Sequence, residues 1–167
     1  YIVTPNTSIA MPSGVWLVEK NTLWEFLYGD INGTNPPGGT RKTEYYYDTQ
    51  GNVVTVYEHG FVGYSGDEKS THFAYGHDWN NWIVGRMRWK NEFNTIIANQ
   101  ASPLLRRQTF LFHDGNHTGN GSAPNGKGLV TRIDVGGSGG GWSTQVITYN
   151  NFGLPSAIQD PRGNVST

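Results

Sequence analysis

The chain has no cysteine, and it carries few charges of either sign: 12 Lys and Arg against 13 Asp and Glu in 167 residues, for a net charge of −1. Without cysteine there is no disulfide framework, no thiolate nucleophile and no cysteine-ligated zinc. The neutral balance argues against a nucleic-acid partner, because gripping phosphates requires basic side chains gathered on one surface. No stretch approaches the roughly 20 apolar residues of a bilayer-spanning helix, so no membrane span is expected. The chain opens on Tyr1 rather than Met, with no signal or targeting pattern. It stops at Asp160-Pro-Arg-Gly-Asn-Val-Ser-Thr167, where a new extended segment begins, so the expectation is a piece of a longer chain.

What is abundant is turn formers and rings. Gly (23) and Pro (8) make up about a fifth of the residues, well above the usual background. Six Trp, nine Tyr and seven Phe supply more burial than a disordered coil carries. Period-2 alternation is the main local signal. In Ile83-Val-Gly-Arg-Met-Arg-Trp-Lys90, Ile83, Gly85, Met87 and Trp89 share one face, and Arg86, Arg88 and Lys90 the other. Thr43 to Tyr47, Arg107 to Phe112, Gly128 to Asp134 and Trp142 to Tyr149 alternate likewise. Between them lie Asn32-Gly33, Pro36 to Gly39, Gln50-Gly51-Asn52, Asp114-Gly115, Asn125-Gly126 and the glycine run Gly136 to Gly141, residues that accept positive φ in tight turns. Val15 to Phe26 reads as two short strands around Lys20-Asn21. The expected fold is all-β, built of antiparallel hairpins.

A repeat underlies the alternation. An aromatic followed by an Asp, an Asn or a Gly-containing turn recurs at Tyr47-Asp48, Tyr75-Gly-His-Asp78, Phe112-His-Asp-Gly115 and Tyr149-Asn150. Each unit reads as a strand ending in a ring, an Asx-type turn closed by Gly, and a return strand. Such a unit cannot bury its own apolar face, so units must stack on one another.

These residues resemble the RHS/YD-repeat family, whose unit centres on Tyr-Asp-x-x-Gly-Asn. Tyr47-Asp48-Thr49-Gln50-Gly51-Asn52 matches throughout. Tyr149-Asn150-Asn151-Phe152-Gly153-Leu154 matches with Asn for Asp and Leu for the final Asn. Asp160-Pro161-Arg162-Gly163-Asn164 is similar to the link between successive units. Gly66-Asp67-Glu68, Trp82-Ile-Val-Gly-Arg86, Leu105-Arg-Arg107 and Lys127 to Arg132 resemble the Tc-toxin-like and SpvB-associated branch; teneurins carry related repeats. The resemblance covers residues 40–167, with 1–39 a leading β segment of the same sheet.

The resemblance implies a secreted or cell-surface, non-enzymatic β-shell without cofactor, whose wall encloses or displays a C-terminal toxin or effector polypeptide. Its partners would be other repeats of the parent chain and that enclosed polypeptide; independently of the resemblance, open strand edges offer a route to further copies of the chain. It also implies that Tyr47, Asp48, Gly51, Asn52, Tyr149, Gly153, Asp160, Pro161 and Gly163 carry the structure, through stacking and turn formation. Many such shells end in an aspartyl self-cleavage site with Asp-Pro-x-Gly-Leu. Here Asn164 stands in place of that Leu, which favours a plain turn.

Other motifs compete with this picture. Gly121 to Gly128 has phosphate-loop spacing, but Gly128 stands where Ser or Thr would hold magnesium, and a strand follows instead of a helix. Gly136-Gly-Ser138-Gly-Gly140 matches a nucleophile elbow, again with a strand behind it. His113, Asp114 and His117 are metal-ligand types at loop spacing without a fourth donor; Asp67 and Glu92 are a carboxylate pair of unknown separation. A flexible or charged turn accounts for each, so no catalytic, cofactor or metal residue is assigned. The rings support a second class of function, a secreted adhesion or carbohydrate-binding module with Trp79, Trp82 and Trp89 stacking on a glycan at the cell surface. A self-assembling β-repeat fibre is a third.

Overall fold

The structure, a computed structural model, describes residues 2–6, 19–26, 39–62, 65–96 and 104–167. Among the described residues there is no helix. Eleven strands follow one another: β1 (Ile2–Asn6), β2 (Glu19–Phe26), β3 (Thr40–Tyr47), β4 (Val53–Phe61), β5 (Lys69–Asp78), β6 (Ile83–Phe93), β7 (Leu105–His113), β8 (Val130–Gly136), β9 (Ser143–Tyr149), β10 (Pro155–Gln159) and β11 (Val165–Ser166). They hydrogen-bond in chain order, each to the next, as a meander in one sheet. The all-β antiparallel hairpin fold expected from alternation and turn residues is therefore the fold observed.

Contacts divide the chain into two units. The first is Tyr1–His72 with Phe93–Leu104; the second is Phe73–Glu92 with Leu105–Thr167. In the first unit, β1 pairs with β2, β2 with β3, β3 with β4, and β4 with the opening of β5, all antiparallel. Lys20-Asn21 is not a turn. β2 runs straight through it, and because Thr4 pairs with Thr22 while Pro5 pairs with Lys20, Asn21 is the extra residue of a bulge. Polar side chains in sequence mark a break in pairing here without marking its kind. Val15 to Val18, Asn32-Gly33 and Pro36 to Gly38 lie outside the described residues. A file of rings runs across this unit: Tyr46 meets Tyr57 edge-on at 5.4 Å, Tyr57 meets His72 at 6.0 Å, and His72 meets Phe93 at 5.7 Å. Cross-strand pairs of this kind are the elementary stabilising contact of a sheet. Burial depresses the pKa of His72 below the ordinary imidazole value.

In the second unit β7 pairs with β8, β8 with β9, β9 with β10, and β10 with β11. Arg132 grips Asp134 through two contacts of 2.8 Å, and the Thr144 hydroxyl donates to the same carboxylate. The Tyr149 hydroxyl donates across to the Val130 carbonyl at 2.8 Å, so this repeat aromatic ties neighbouring strands by a hydrogen bond. Phe110 stacks with Trp142 at 5.2 Å. Among the described residues, the buried hydrophobic side chains are Ile96 and Phe112, each 3% exposed, and Pro124 is buried as well. Most strand positions are half-covered on both faces.

Candidate functional site

The repeated turn is the most regular feature of the molecule, and its bonding follows from its residues. At Asp48 the backbone N–H donates to the Asn52 carbonyl (2.9 Å) and Gly51 N–H donates to the Asp48 carbonyl (3.1 Å). Asp48 Oδ1 accepts from the N–H groups of Gln50 and Asn52, both at 2.9 Å, while Asn52 Nδ2 donates to Oδ2. Gly51 sits at φ +81°, where a side chain is penalised. Asn150 and Asp160 repeat the scheme. The closing pairs are Asn150 N–H to Leu154 carbonyl and Asp160 N–H to Asn164 carbonyl, each 2.9 Å. Side-chain oxygens accept from Phe152 and Leu154, and from Arg162 and Asn164; Gly153 and Gly163 lie at φ +79° and +89°. Asp160-Pro161 therefore opens a hairpin turn of the same type, joining β10 to β11. Replacing Gly51 by Val, which forces a β-branched side chain into positive φ, is expected to cost about 1–2 kcal/mol, read as a fall in thermal midpoint.

The residue at the fifth position selects Asp or Asn at the first. Asn52 and Asn164 offer a side-chain amide to the second carboxylate oxygen, at 2.9 and 2.8 Å. Leu154 offers none, and there the amide of Asn150, with a single acceptor, serves.

A fourth copy is expanded. Asp114 N–H donates to the Leu129 carbonyl (2.9 Å) and Leu129 N–H to Asp114 Oδ1 (3.0 Å), the same closing pair with the partner fifteen residues on rather than four. Gly128, at φ +68°, takes the place of Gly51. The second carboxylate oxygen accepts from Asn125 and Gly128 N–H groups, each at 2.9 Å. In the sequence Phe112-His-Asp114 is legible as a repeat start, but the end of that repeat, fifteen residues on, is not. The available signal is the pair Gly128-Leu129, which matches Gly153-Leu154.

The inserted residues form a loop that seats on the second unit. Ser122 N–H donates to the Leu111 carbonyl, Ser122 Oγ accepts from His113 N–H at 2.7 Å, and the Ser122 carbonyl meets His113 Nδ1 at 2.8 Å. Arg88 donates to the Gly121 carbonyl, and Gly126 N–H donates to Asp78 Oδ2. Lys127 Nζ donates to the Asn151 carbonyl, linking the loop to the β9–β10 turn.

His113 is 1% exposed. Its contact with a carbonyl requires the proton on Nδ1 and leaves Nε2 bare in the neutral ring. Burial pulls its pKa below the ordinary value, aided by Arg86 and Arg88 and opposed by the Ser122 carbonyl and Asp114. A group depressed in the folded state favours folding fully above its unfolded value, about 6.5, and loses that contribution as pH falls toward the folded value. A titration of the imidazole resonances is therefore expected to give His113 a midpoint below about 6.5, with loop amides exchanging faster as it protonates.

His113 holds Ser122, Asp114 accepts backbone N–H groups, and His117 Nε2 meets the Thr131 hydroxyl at 3.1 Å, so the three are occupied separately. Gly121 to Gly128 lies in the loop and leads into β8; Ser138 lies in the exposed turn between β8 and β9. Asp67 accepts from Phe61 N–H, and Glu92 pairs with Lys90 at 3.0 Å. Trp79 and Trp82 share the β5–β6 turn, 57% and 86% exposed. Trp89 is half-buried within β6, about 20 Å further along the strand, and does not join them.

A scan against protein-family models finds no match to this chain, and a search of curated proteins finds no relative.

Proposed function

We propose that this chain is a segment of an RHS/YD-repeat wall: a non-enzymatic, secreted β-scaffold that encloses or displays another polypeptide. One observation carries this reading. The Asx turn recurs with the same closing backbone bonds and the same side-chain acceptor at Asp48, Asn150 and Asp160, and in expanded form at Asp114. A turn whose backbone bonding is reproduced in separate hairpins supports a repeat unit. The scarcity of buried apolar side chains among the described residues fits a wall, whose faces are covered by more of the same structure or by what it surrounds.

The chemistry of Asp160 agrees with a structural role. Its carboxylate accepts from the Asn164 side-chain amide and from the N–H groups of Asn164 and Arg162, and these donors, the amide foremost, hold its pKa below the ordinary carboxylate value. All of these donors belong to the turn that Asp160 opens, which supports reading it as the anchor of that turn.

The test is electron microscopy and protease protection on the full-length gene product. A hollow particle in which a terminal segment resists protease until the wall is opened supports the proposal. A solid particle, or flanking sequence without further Tyr-Asp-x-x-Gly-Asn units, refutes it.

A further inference from the structure

We propose that the β5–β6 turn of the second unit is a binding site for a neutral saccharide, with Trp79 and Trp82 as its stacking rings. The first observation is backbone strain. Among the described residues only two non-glycines have positive φ, Asp114 (+52°) and Trp82 (+54°). For Asp114 the surrounding hydrogen bonds account for the conformation. Trp82 has no such support: its N–H reaches the Trp79 carbonyl only at 3.4 Å, and its side chain is 86% exposed. A bulky residue in this region is a conformational outlier. In the sister turns, glycine occupies the positive-φ position. Tryptophan at this point strains the backbone, and a ring left exposed gains no burial energy to offset that strain. Uncompensated strain of this kind concentrates at sites of function.

The second observation is that the turn is well anchored and holds the Trp79 ring in place. Asp78 accepts from the backbone and side-chain N–H groups of Asn81, at 3.2 and 2.7 Å, and from Gly126 N–H at 3.0 Å. Trp79 stacks on His77 at 5.1 Å and 20°, and His77 Nδ1 is fixed by Gly85 N–H. Trp79 is thus backed by one ring while more than half of it stays open to solvent.

The sequence of the tip selects the ligand. Residues 79–82 read Trp-Asn-Asn-Trp, with no charge and no aliphatic side chain. Flat rings complement the C–H faces of a pyranose, and carboxamides supply both donors and acceptors for hydroxyls. A charged ligand would lack a counter-charge within the turn itself, and Asp78 already accepts three hydrogen bonds. Sugar binding at this turn is independent of whether the sheet belongs to a shell.

The experiment is a tryptophan-fluorescence titration of the 167-residue chain with soluble neutral oligosaccharides of glucose, mannose, xylose or N-acetylglucosamine, alongside affinity gels of the corresponding polymers. At least one is expected to bind saturably. Trp79→Ala and Trp82→Gly should each weaken it about tenfold or more, which corresponds to losing one stacking ring. Trp142→Ala, on the β8–β9 side, should leave the affinity unchanged. Trp82→Gly also separates binding from folding, because glycine relieves the positive φ and should keep or raise the thermal midpoint. No saturable response, a response confined to acidic polysaccharides, undiminished affinity in Trp82→Gly, or a lowered midpoint in that variant would each overturn the proposal.

Discussion

Gly121→Ala is expected to destabilise the second unit by about 3 kcal/mol or more, while Gly140→Ala changes stability by only a few tenths and Gly119→Ala falls between them. The order follows from two separable terms. At Gly140 the backbone is ordinary, and an added Cβ would meet nothing within 4 Å. Gly119 has φ +68° with the same open space, so only conformational strain applies. Gly121 combines φ +75° with a Cβ position 2.1 Å from the Arg88 carbonyl oxygen and 3.0 Å from that of Leu111. Neither obstacle is a side-chain tip that can swing aside; both are strand backbone. The loop must therefore lift, which breaks the bonds from Ser122 to Leu111 and His113 and from Arg88 to Gly121. Chemical denaturation of the three variants measures the order directly. A Gly121→Ala protein as stable as Gly119→Ala would mean that the loop does not seat on β6 and β7.

Much of this architecture was legible because it rests on local rules. Alternation in Arg107 to Phe112 and Trp142 to Tyr149 foreshadows β7 and β9, and Gly51, Gly153 and Gly163 stand where a tight turn requires positive φ. Three other features were illegible for physical reasons. The bulge at Asn21 depends on which residues of β1 lie opposite, information held by a different strand. The Asp114 turn closes on a residue fifteen positions away, outside the window in which an Asx turn is recognised. Trp82 takes a conformation that its own side chain disfavours, so any rule based on residue preference points elsewhere. The candidate site thus divides: its aromatic content could be read, but the placement of Trp79 and Trp82 in one turn, with Trp89 further along β6, needed the hairpin.

Asp114→Asn is expected to be more damaging than its conservative chemistry suggests, at about 1–3 kcal/mol, chiefly through the buried Gly128 N–H, whereas Asn150→Asp should change stability little. The same amide serves at one turn and fails at the other because the two carboxyl positions do different amounts of bonding. At residue 150 a single oxygen accepts, from Phe152 and Leu154. At residue 114 one oxygen accepts from Leu129 while the other accepts from Asn125 and Gly128. An asparagine here keeps the first contact but turns an NH2 group toward two N–H donors that point at it, leaving both unpaired. Hydrogen exchange should show the damage confined to amides of residues 115–129, with the Asp48 turn still protected. The acid response provides an independent check. Burial raises the Asp114 pKa, but hydrogen bonds from Asn125, Leu129, Gly128 and Lys127 together outweigh it and hold the group below its ordinary value. Its contribution is therefore fully present above about pH 4 and is lost as pH falls through the folded value. In Asp114→Asn that component of the acid transition should disappear, while the component due to His113, which begins nearer pH 6.5, remains. A variant that retains the full acid dependence of the wild type would place the titrating anchor of the loop somewhere other than Asp114.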